Sequence, residues 1–243
     1  MRLNFQGSRL LIIGGSSAIG LAVHDMARAS GLTVRCTYAS ERGLAALRGH
    51  APDQPSTNWI HQDLYVPLTH DSALMNALTG SDYVLDLAHG HLEDFMASTT
   101  DAEAYFTAHI TRRQQLVRLL ARDMLGRRFG RLVYISSTAA ALPGPGQGFY
   151  SATKGAAEAL YTSLGIELHG RGISTVCLRL GLVDGGRGKA FFTTSRQQDK
   201  LESRRISVEQ AASTALFLLS DQGLAFSSTT LTMDAGLTAQ KYR

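Results

Sequence analysis

Short apolar runs recur along the chain, and longer stretches with helical spacing of apolar residues separate them. The runs that predict strands cover residues 10–13, 33–38, 58–62, 83–88, 131–136, 174–180 and 229–234. The stretches that predict helices cover residues 18–29, 41–48, 70–79, 101–125, 151–169 and 207–220. Strands and helices that alternate in this way predict an α/β fold, namely a Rossmann-like, doubly wound parallel sheet of about seven strands with helices on both faces.

Local signals mark several boundaries in this pattern. Residues 207–210 read Ser-Val-Glu-Gln, which is the spacing of a capping box at a helix start. Gly31 stands where the first helix should end. The Pro and Gly residues of 143–146 predict a loop before the helix that carries Tyr150.

Residues 181–206 form the longest region without a clear period. Such segments in compact domains are usually functional lids or disordered insertions. We therefore expect one domain over residues 1–243, with 181–206 as its substrate loop or lid. Gly185 to Gly188 are candidate hinge residues, and Phe191 and Phe192 are a candidate apolar cover, with an ordinary surface loop as the alternative.

Composition narrows the classes of function. Hydrophobic content of 44% and charged content of 18% are typical of a globular protein and not of a disordered one. A net charge of +4 favours anionic partners, but no basic and aromatic stripe indicates nucleic-acid binding. Cys36 and Cys177 fall in predicted strands, so we expect buried thiols and no metal site. The N-terminal apolar run is too short for a signal peptide and no run reaches the length of a membrane span, so a cytoplasmic location is expected.

A glycine-rich turn follows the first predicted strand and opens the first predicted helix. Residues 14–20 read GGSSAIG. In this context backbone N–H groups can approach a pyrophosphate, and the helix dipole adds positive charge. A tight connection without a ligand is the alternative, although the position after the first strand favours a dinucleotide.

Tyr150 and Lys154 lie four residues apart in a predicted helix, so their side chains should lie side by side. A phenol beside a fixed ammonium ionises more easily than a free one. The pair is either an acid/base device or a surface feature, and the other motifs of the chain have to decide between them.

Together these motifs resemble the classical short-chain dehydrogenase/reductase family along nearly the whole chain. Gly14-x-x-x-Ala18-Ile19-Gly20 is similar to the family's TGxxxGIG turn, with Ala18 where the second glycine is usual and Ile13 where threonine is. The extra methyl group of Ala18 should tighten the site without abolishing binding.

Two further motifs carry the same resemblance. Ser136-Ser137 at the end of the fifth strand and Tyr150-x-x-x-Lys154 look like the family's catalytic serine and YxxxK motif. The spacing from Ser137 to Tyr150 is the one that the family commonly shows.

The resemblance implies a nicotinamide dinucleotide bound along the carboxyl ends of the strands. At the end of the second strand no acidic residue is present to hold a ribose hydroxyl pair, whereas Ser40 and Arg42 can hold a 2′-phosphate. NADP(H) is therefore favoured over NAD(H), with Glu41 as the residue that supports the alternative. Asp63 matches the aspartate that contacts the adenine, unless it only caps a turn. The expected cofactor-binding residues are Gly14, Ser16, Ser17, Ala18, Ile19, Gly20, Ser40, Arg42, Asp63, Leu64, Ala88, Tyr150, Lys154, Gly181 and Val183.

The same resemblance implies a reaction. Tyr150 would act as the general acid in carbonyl reduction or the base in alcohol oxidation, with Lys154 stabilising phenolate and Ser137 orienting the substrate oxygen. The expected activity is hydride transfer between NADP(H) and a ketone or secondary alcohol, with a 3-oxoacyl thioester as a candidate substrate. The alternative is a cofactor-binding sensor or partner protein with weakened chemistry.

Two departures from the family pattern motivate that alternative. Asp86-Leu87-Ala88-His89 replaces the NNAG segment after the fourth strand. His109 stands where family members carry an asparagine that holds a water chain to the lysine. Because histidine titrates near neutrality and can pass protons, His109 is a fourth candidate catalytic residue, with a structural role as the alternative.

Residues outside these motifs suggest partners and the nature of the substrate. Arg127, Arg128, Arg131 and Arg171 are expected near the mouth of the site, where they could dock an acidic acyl carrier protein, although scattered surface arginines are the alternative. Leu142, Gln147 and Phe149 are expected to flank the pocket and to favour a partly apolar substrate. The family resemblance implies a homo-oligomer, a dimer or a homotetramer, formed through the long helices at 101–125 and 151–169.

Overall fold

Seven parallel strands form one sheet at the centre of the molecule. The computed structural model describes residues 2–68, 72–185 and 202–239. The strand order is β3-β2-β1-β4-β5-β6-β7, and every neighbouring pair is parallel, as predicted. The strands are β1 Arg9–Ile13, β2 Thr33–Tyr38, β3 Trp59–His61, β4 Tyr83–Asp86, β5 Gly130–Ser137, β6 Ile173–Leu180 and β7 Thr229–Met233.

Helices connect the strands and cover both faces of the sheet. They are α1 Ala18–Ala29, α2 Glu41–His50, α3 Ser72–Leu78, α4 Glu103–Phe106, α5 Arg113–Arg127, α6 Gly148–Leu168 and α7 Val208–Leu219. Single 3₁₀ segments occur at Ser56–Asn58, Thr138–Ala140, His169–Arg171 and Asp221–Phe226. None of the helices in the described ranges is long and apolar enough to cross a bilayer.

The two faces of the sheet belong to two separate apolar cores. Leu10 and Ile12 of β1 pack in one core with buried residues of α1, α2 and α7. Leu11 and Ile13 point to the other face and pack with buried residues of α3, α5 and α6. Because side chains alternate along a strand, a strand buried on both faces needs apolar residues at every position, and this explains the continuous LLII run. The predicted Rossmann-like fold is confirmed.

Two predicted helix boundaries are confirmed by their caps. Ser207 Oγ accepts from the Gln210 backbone N–H at 3.1 Å, and Gln210 Oε1 accepts from the Ser207 N–H at 2.9 Å, which completes the capping box of α7. Gly31 follows the end of α1 with φ of +86°, a conformation that glycine adopts without strain.

The fourth strand is shorter than the sequence predicts. The apolar run extends to residue 88, but β4 ends at Asp86. Asp86 Oδ1 accepts from the Ala88 N–H at 3.2 Å, and the Arg113 guanidinium donates to both Asp86 Oδ2 and the Ala88 carbonyl. The Leu87 N–H still donates to the Ile13 carbonyl of β1 at 2.9 Å, and the side-chain bonds hold the backbone on either side of it, where the regular strand ends two residues earlier than predicted.

The single predicted helix at 101–125 is in fact three consecutive elements. A π-helical segment, Thr107–Arg112, separates α4 from α5. Apolar spacing at 3.6 residues per turn does not distinguish the wider π turn from an α-helix, so it predicts one uninterrupted helix here. The segment contains His109, and π turns are frequent at functional sites.

Part of the expected lid lies outside the described residues. Residues 186–201, with the candidate hinge from Gly186 to Gly188 and the candidate cover of Phe191 and Phe192, belong to that part.

Candidate active site

The carboxyl ends of β1 and β4 face each other where the strand order reverses, which is the usual ligand crevice of a doubly wound sheet. Gly14 follows β1 with φ of +78°, and a Cβ at this position would lie 2.9 Å from the Ala88 backbone N. Only glycine fits both the conformation and this close approach. The crevice therefore depends on contact between two of the predicted site residues.

The glycine turn is held open by β2. Gly14 N–H donates to Thr37 Oγ1 and Gly15 N–H donates to the Thr37 carbonyl, each at 2.9 Å. A Cβ at Gly20 would lie 2.5 Å from the Gly15 carbonyl oxygen, so the start of α1 packs directly against the turn. These contacts fix the backbone of the turn before any ligand binds.

The first turn of α1 has the features of an anion site. Ser17 is the N-cap, and its Oγ accepts from the Gly20 N–H at 3.1 Å. The N–H groups of Ala18 and Ile19 come earlier in the helix and have no intrahelical acceptor available to them. No acidic residue lies in this first turn. Backbone donors at a helix N-terminus without a competing carboxylate fit a pyrophosphate.

The start of α2 lies beside this turn. A Cβ at Gly43 would lie 2.9 Å from Ser16 Oγ, so the two segments are in contact. Ser40 is the N-cap of α2, with Oγ accepting from Gly43 N–H at 3.2 Å, and Arg42 is exposed in its first turn. The hydroxyls of Ser16 and Ser40 and the guanidinium of Arg42 therefore lie on segments that meet at one corner of the crevice.

The residues after β3 are already engaged within the protein. Asp63 Oδ1 accepts from the Tyr65 N–H at 2.9 Å, so this carboxylate does cap a turn. The Leu64 side chain is buried in the second core, and its carbonyl accepts from Arg112 Nη1 at 3.0 Å. Neither arrangement tests an adenine contact.

The segment after β6 returns to the glycine turn. Gly181 N–H donates to the Met233 carbonyl at 2.9 Å, and Val183 forms a bridge with Ile206. A Cβ at Gly185 would lie 3.4 Å from the Ala18 Cβ, so the segment reaches the start of α1. Gly181 and Val183 thus belong to the same edge as the glycine turn.

Tyr150 and Lys154 are buried on α6 and face the end of β5. Their side chains are part of the interior, with 8% and 4% of each residue exposed. Lys154 Nζ donates to the Ile135 carbonyl at 2.8 Å and lies 5.8 Å from the centroid of the Tyr150 ring. Ile135 precedes Ser137 by two residues in β5, and Ser137 Oγ accepts from the Ala139 N–H at 3.2 Å. The surface alternative for this pair is therefore wrong.

His109 is also buried here, but its protonation is not the one that the sequence suggested. Burial, with added repulsion from Arg113 and Lys154, lowers the pKa of His109 to about 3, so the expectation of titration near neutrality is wrong. Its Nε2 accepts from the Gly90 N–H at 2.9 Å, so a neutral ring carries its proton on Nδ1. Nδ1 is buried and has no hydrogen-bond partner among the described residues. Nε2 is therefore occupied by a backbone N–H group, and the remaining ring proton, on Nδ1, meets no acceptor in the described part of the chain.

His89 is a site residue that the sequence reasoning did not include. Its ring stacks on His109 with centroids 4.2 Å apart and meets the Tyr150 ring edge to face at 5.2 Å. Its Nδ1 lies 2.7 Å from the Gly90 carbonyl and its Nε2 lies 3.3 Å from Thr153 Oγ1, a hydroxyl of α6. Burial, followed by the charge of Lys154, holds the pKa of His89 well below its ordinary value. The replacement of the family's NNAG glycine by His89 was the available signal.

A buried ion pair supports this side of the site. Arg113 and Asp86 are both fully buried and bonded to each other, and the Tyr161 hydroxyl donates to Asp86 Oδ2 at 2.8 Å. The Arg113 guanidinium also lies 5.1 Å from the centroid of the Tyr134 ring. Arg113 also holds the backbone of Ala88, next to Gly14. It thereby supports the segment in which the asparagine side chains of the family's NNAG pattern are absent.

A model of the short-chain dehydrogenase family matches residues 8–196 of this sequence. The chain belongs to the short-chain dehydrogenase family. It is accordingly an oxidoreductase.

Curated relatives in this family match along almost the full length of the chain. Carbonyl reductase (NADPH) 2 of Sus scrofa is 26% identical, over 98% of this chain and 100% of its own. The 3-oxoacyl-(acyl-carrier-protein) reductase of Haemophilus influenzae is 25% identical, over 96% of this chain and 98% of its own.

Solved structures of the family share the fold. A short-chain dehydrogenase/reductase family protein superposes with a TM-score of 0.82 at 24% identity, covering 98% of this chain and 100% of the other. A 3-oxoacyl (acyl-carrier-protein) reductase from Agrobacterium tumefaciens, solved with NADP bound, superposes with a TM-score of 0.80 at 19% identity, covering 95% of this chain and 94% of the other.

The arginines that were expected at the mouth of the site lie elsewhere. Arg131 stands at the start of β5 opposite Tyr83, the first residue of β4, and Arg171 lies two residues before the start of β6. This is the amino-terminal edge of the sheet, opposite the site. Arg127 bonds to Asp82 and Asp123, and the buried Arg131 bonds to Asp221 at 2.9 Å. The predicted strands 131–136 and 174–180 already imply this edge, because Arg127, Arg128 and Arg171 precede them and Arg131 begins the first, so the predicted position at the mouth of the site was wrong.

Two of the residues predicted to flank the pocket have packing or hydrogen-bond partners within the protein. Phe149 packs with Ala102 and Tyr105 in a third, small core. Gln147 is a brace between two loops, since its Nε2 donates to Glu93 and its Oε1 accepts from the Gly144 N–H. An apolar substrate therefore gains no support from these two residues.

Proposed function

We propose that the protein is an NADP(H)-dependent oxidoreductase that transfers hydride between nicotinamide and a ketone or secondary alcohol. The observation that carries this proposal is the buried ammonium of Lys154, anchored to β5 beside Ser137 and next to the ring of Tyr150. Burying a charge costs free energy unless the charge is well paired, so buried charged groups are often found at functional sites. Here the buried ammonium lies beside a phenol at the ligand-binding edge of the fold.

The residues present fit a dinucleotide. The glycine turn and the free amides of α1 would hold the pyrophosphate, and Gly14 leaves room where a Cβ would meet Ala88. When bound, the nicotinamide ring would supply or accept the hydride.

The choice of NADP(H) rests on the end of β2. No carboxylate stands at the strand end, and Ser40 and Arg42 supply a hydroxyl and a guanidinium that favour a 2′-phosphate. The names of two relatives agree, the Sus scrofa carbonyl reductase (NADPH) 2 and the L-rhamnose 1-dehydrogenase (NADP(+)) of Thermoplasma acidophilum, which is 24% identical over 97% of this chain.

The proton chemistry falls to three side chains. Tyr150 would donate its phenolic proton to the carbonyl oxygen in reduction, and Lys154 would stabilise the negative charge left on the phenol. Ser137 would donate to the same substrate oxygen, because its hydroxyl is held at the end of β5 by the Ala139 amide. His89 and His109 would stay neutral and pack behind Tyr150 without adding positive charge.

The direct test has two steps. NADPH and NADH binding to the purified chain are measured first, and turnover is then followed by loss of NADPH absorbance with a panel of ketones and 3-oxoacyl thioesters. Tyr150→Phe is the control, because it keeps the ring and removes the proton. Turnover by the native chain that disappears in Tyr150→Phe is expected, whereas equal turnover in both would contradict the proposal.

A second candidate is an NADP(H)-binding sensor with weakened chemistry. The observation that favours it is the blocked Nε2 of His109, which removes a route for protons near Lys154. Tight NADPH binding without turnover on any member of the panel would favour this candidate.

A 3-oxoacyl thioester is the substrate class to test first among carbonyl compounds, since the Haemophilus influenzae relative is named for that reaction. The arginine cluster at the far edge of the sheet cannot deliver a carrier protein to the site. If a carrier protein is used, turnover of the carrier-bound substrate should still fall as salt rises, while turnover of a small thioester analogue should not. Equal salt dependence of both substrates would indicate that no carrier protein docks.

We also propose that the protein forms a homo-oligomer through its long helices. Ile166 on α6 is 69% exposed and Leu125 on α5 is 37% exposed, which is unusual for large apolar side chains. Light scattering on the native chain and on Ile166→Lys tests this. A native dimer or tetramer that dissociates in Ile166→Lys is expected, and a native monomer would contradict it.

A further inference from the structure

A second cluster of polar side chains lies away from the crevice, where α1 meets the end of α2. His24 Nδ1 lies 3.0 Å from Asp25 Oδ1, and His50 Nε2 lies 2.9 Å from Asp25 Oδ2. In the described part of the chain, this is the one group of three or more His, Cys, Asp or Glu side chains close enough to share a metal ion. The sequence did not suggest it, because 25 residues separate Asp25 from His50.

The cluster combines a fixed ligand with two that solvent can reach. The His24 side chain is 1% exposed and packs against the Trp59 ring, with centroids 5.7 Å apart. The side chains of Asp25 and His50 are 60% and 29% exposed. A cation from solvent can therefore reach Asp25 and His50 directly, while the buried ring of His24 is already held in position.

The charges around the cluster favour a cation. Asp25 supplies a carboxylate whose two oxygens face the ring nitrogens of His24 and His50. The nearest arginine on the same helix, Arg28, is directed to Asp53 at 3.1 Å. Within the described residues, the two histidines are the only basic side chains that pair with the Asp25 carboxylate.

We propose that His24, Asp25 and His50 form a binding site for one divalent transition-metal ion of the Zn²⁺ type. Two imidazole nitrogens and one carboxylate oxygen are ligands that Zn²⁺ prefers, and water would complete the coordination. Ca²⁺ and Mg²⁺ prefer sites made of oxygen atoms, so they would bind poorly to a site with two imidazole nitrogens. Binding requires both coordinating nitrogens to be unprotonated, so it displaces the two N–H donors that now face Asp25.

The spacing of the ligand atoms is close to what such an ion needs. Zn–N and Zn–O bonds of about 2.0–2.2 Å at tetrahedral angles separate ligand atoms by roughly 3.3 Å. The ligand atoms of the three residues all lie within 4.8 Å of one another, and the nitrogens of His24 and His50 lie 3.0 and 2.9 Å from different oxygens of Asp25, so the carboxylate has to turn for one oxygen to meet the ion with both nitrogens. The exposed side chains of Asp25 and His50 can make that adjustment while His24 stays in place.

An ion at this position would join two helices of the cofactor half of the fold. α1 begins at the glycine turn and α2 begins at Ser40, whereas His24 and His50 lie farther along each helix. The ion would therefore stabilise the packing of these helices without touching Tyr150 or Lys154, and the proposal stands whether or not the proposed reaction does.

The test is Zn²⁺ titration of the full chain after treatment with a chelator, followed by calorimetry and by thermal unfolding. We expect one Zn²⁺ per chain with a roughly micromolar dissociation constant, and an upward shift of Tm because the ion binds only the folded state. Mg²⁺ at the same concentrations should leave Tm unchanged.

Three variants locate the site. His50→Ala and Asp25→Asn each remove one exposed ligand and should weaken Zn²⁺ binding by at least about tenfold, since even residues behind the ligands contribute that much. His169→Ala removes an exposed histidine elsewhere and should bind as the native chain does. No Zn²⁺ binding by the native chain, or equal binding by His50→Ala, Asp25→Asn and the native chain, would overturn the proposal.

Discussion

The two sides of the crevice are built in different ways. On the β1–β2 side the site consists mainly of backbone, because Gly14, Gly15 and Gly20 bring amides and carbonyls within close reach of one another. On the β4–β5 side it consists of buried charged and aromatic side chains, with Lys154 and Arg113 as the cations. The backbone of the β1–β2 side fits the phosphates of a dinucleotide, a ligand that many proteins share. In the proposed function, the side chains of the β4–β5 side determine the reaction.

The difference shows where sequence variation is tolerated. The glycine turn departs from the family pattern at two single positions, Ile13 and the exposed Ala18. The β4 side departs by a whole segment, and the departures compensate one another, since Arg113 and Asp86 fix the backbone that amides would otherwise brace. A substitution on the β4 side therefore requires compensating substitutions at the residues that contact it.

The largest effect is expected at the hydroxyl of Tyr150. Tyr150→Phe should lower turnover by about 10²–10⁴-fold, the usual contribution of a positioned acid or base. NADPH binding should change little, because the pyrophosphate contacts lie on the other side of the crevice. Steady-state kinetics and NADPH titration of the same preparation give both numbers, and loss of both together would mean that the two sides are not separable.

The buried ion pair should dominate stability on the β4 side. Arg113→Met leaves the Asp86 carboxylate buried without its cation and should cost about 3–5 kcal/mol of unfolding free energy. Arg112→Met, next to it, removes one hydrogen bond to the Leu64 carbonyl and should cost about 1 kcal/mol. Urea denaturation of the two variants measures the difference, and equal losses would show that the pair contributes no more than an ordinary hydrogen bond.

The glycine turn should respond to volume and not to charge. Gly20→Ala places a Cβ 2.5 Å from the Gly15 carbonyl, and relief of that overlap should cost about 1–3 kcal/mol and weaken NADPH binding. Ala18→Gly is the matched control, because it removes a methyl group from the same turn and should keep or modestly improve binding. Unchanged NADPH affinity in Gly20→Ala would show that the turn does not hold the cofactor.

The most specific effect concerns His109. Its pKa falls from 6.5 to about 3 on folding, so between these values the unfolded chain binds more protons than the folded one. Stability from this group is complete above about pH 6.5 and is lost as pH falls, at up to about 1.4 kcal/mol per unit. His109→Asn should flatten this slope in unfolding free energy measured below pH 6.5. An unchanged slope would mean that the ring is protonated inside the fold.

The same variant addresses catalysis. Since His109 does not titrate near neutrality, the pH–rate profiles of the native chain and His109→Asn should have the same shape between pH 6 and 9, whatever their heights. If one limb of the pH–rate profile shifts in His109→Asn, then His109 does take part in proton transfer, against the conclusion drawn from its tautomer.

Much of the fold could be predicted because its signals are local. The continuous LLII run, the Ser207 capping box and Gly31 each depend on neighbours in the sequence, and each is confirmed. The glycine turn and the Tyr150 and Lys154 pair are also local, since a turn and one helical step place their atoms.

The errors concern partners that are distant in sequence. The Asp86–Arg113 pair joins residues 27 apart, and His89 meets Thr153 across 64 positions. Periodicity reports which face of an element is apolar, but it does not report which elements meet.

By itself the sequence determined the parallel α/β fold, the glycine turn and the phenol–ammonium pair, because hydrogen bonding and side-chain spacing within single elements set them. Only the tertiary structure decided the protonation of His89 and His109, the role of Arg113 and the meeting of His24, Asp25 and His50. The physical reason is that desolvation and charge interactions depend on distance through space, which the chain fixes only when its separate elements pack together.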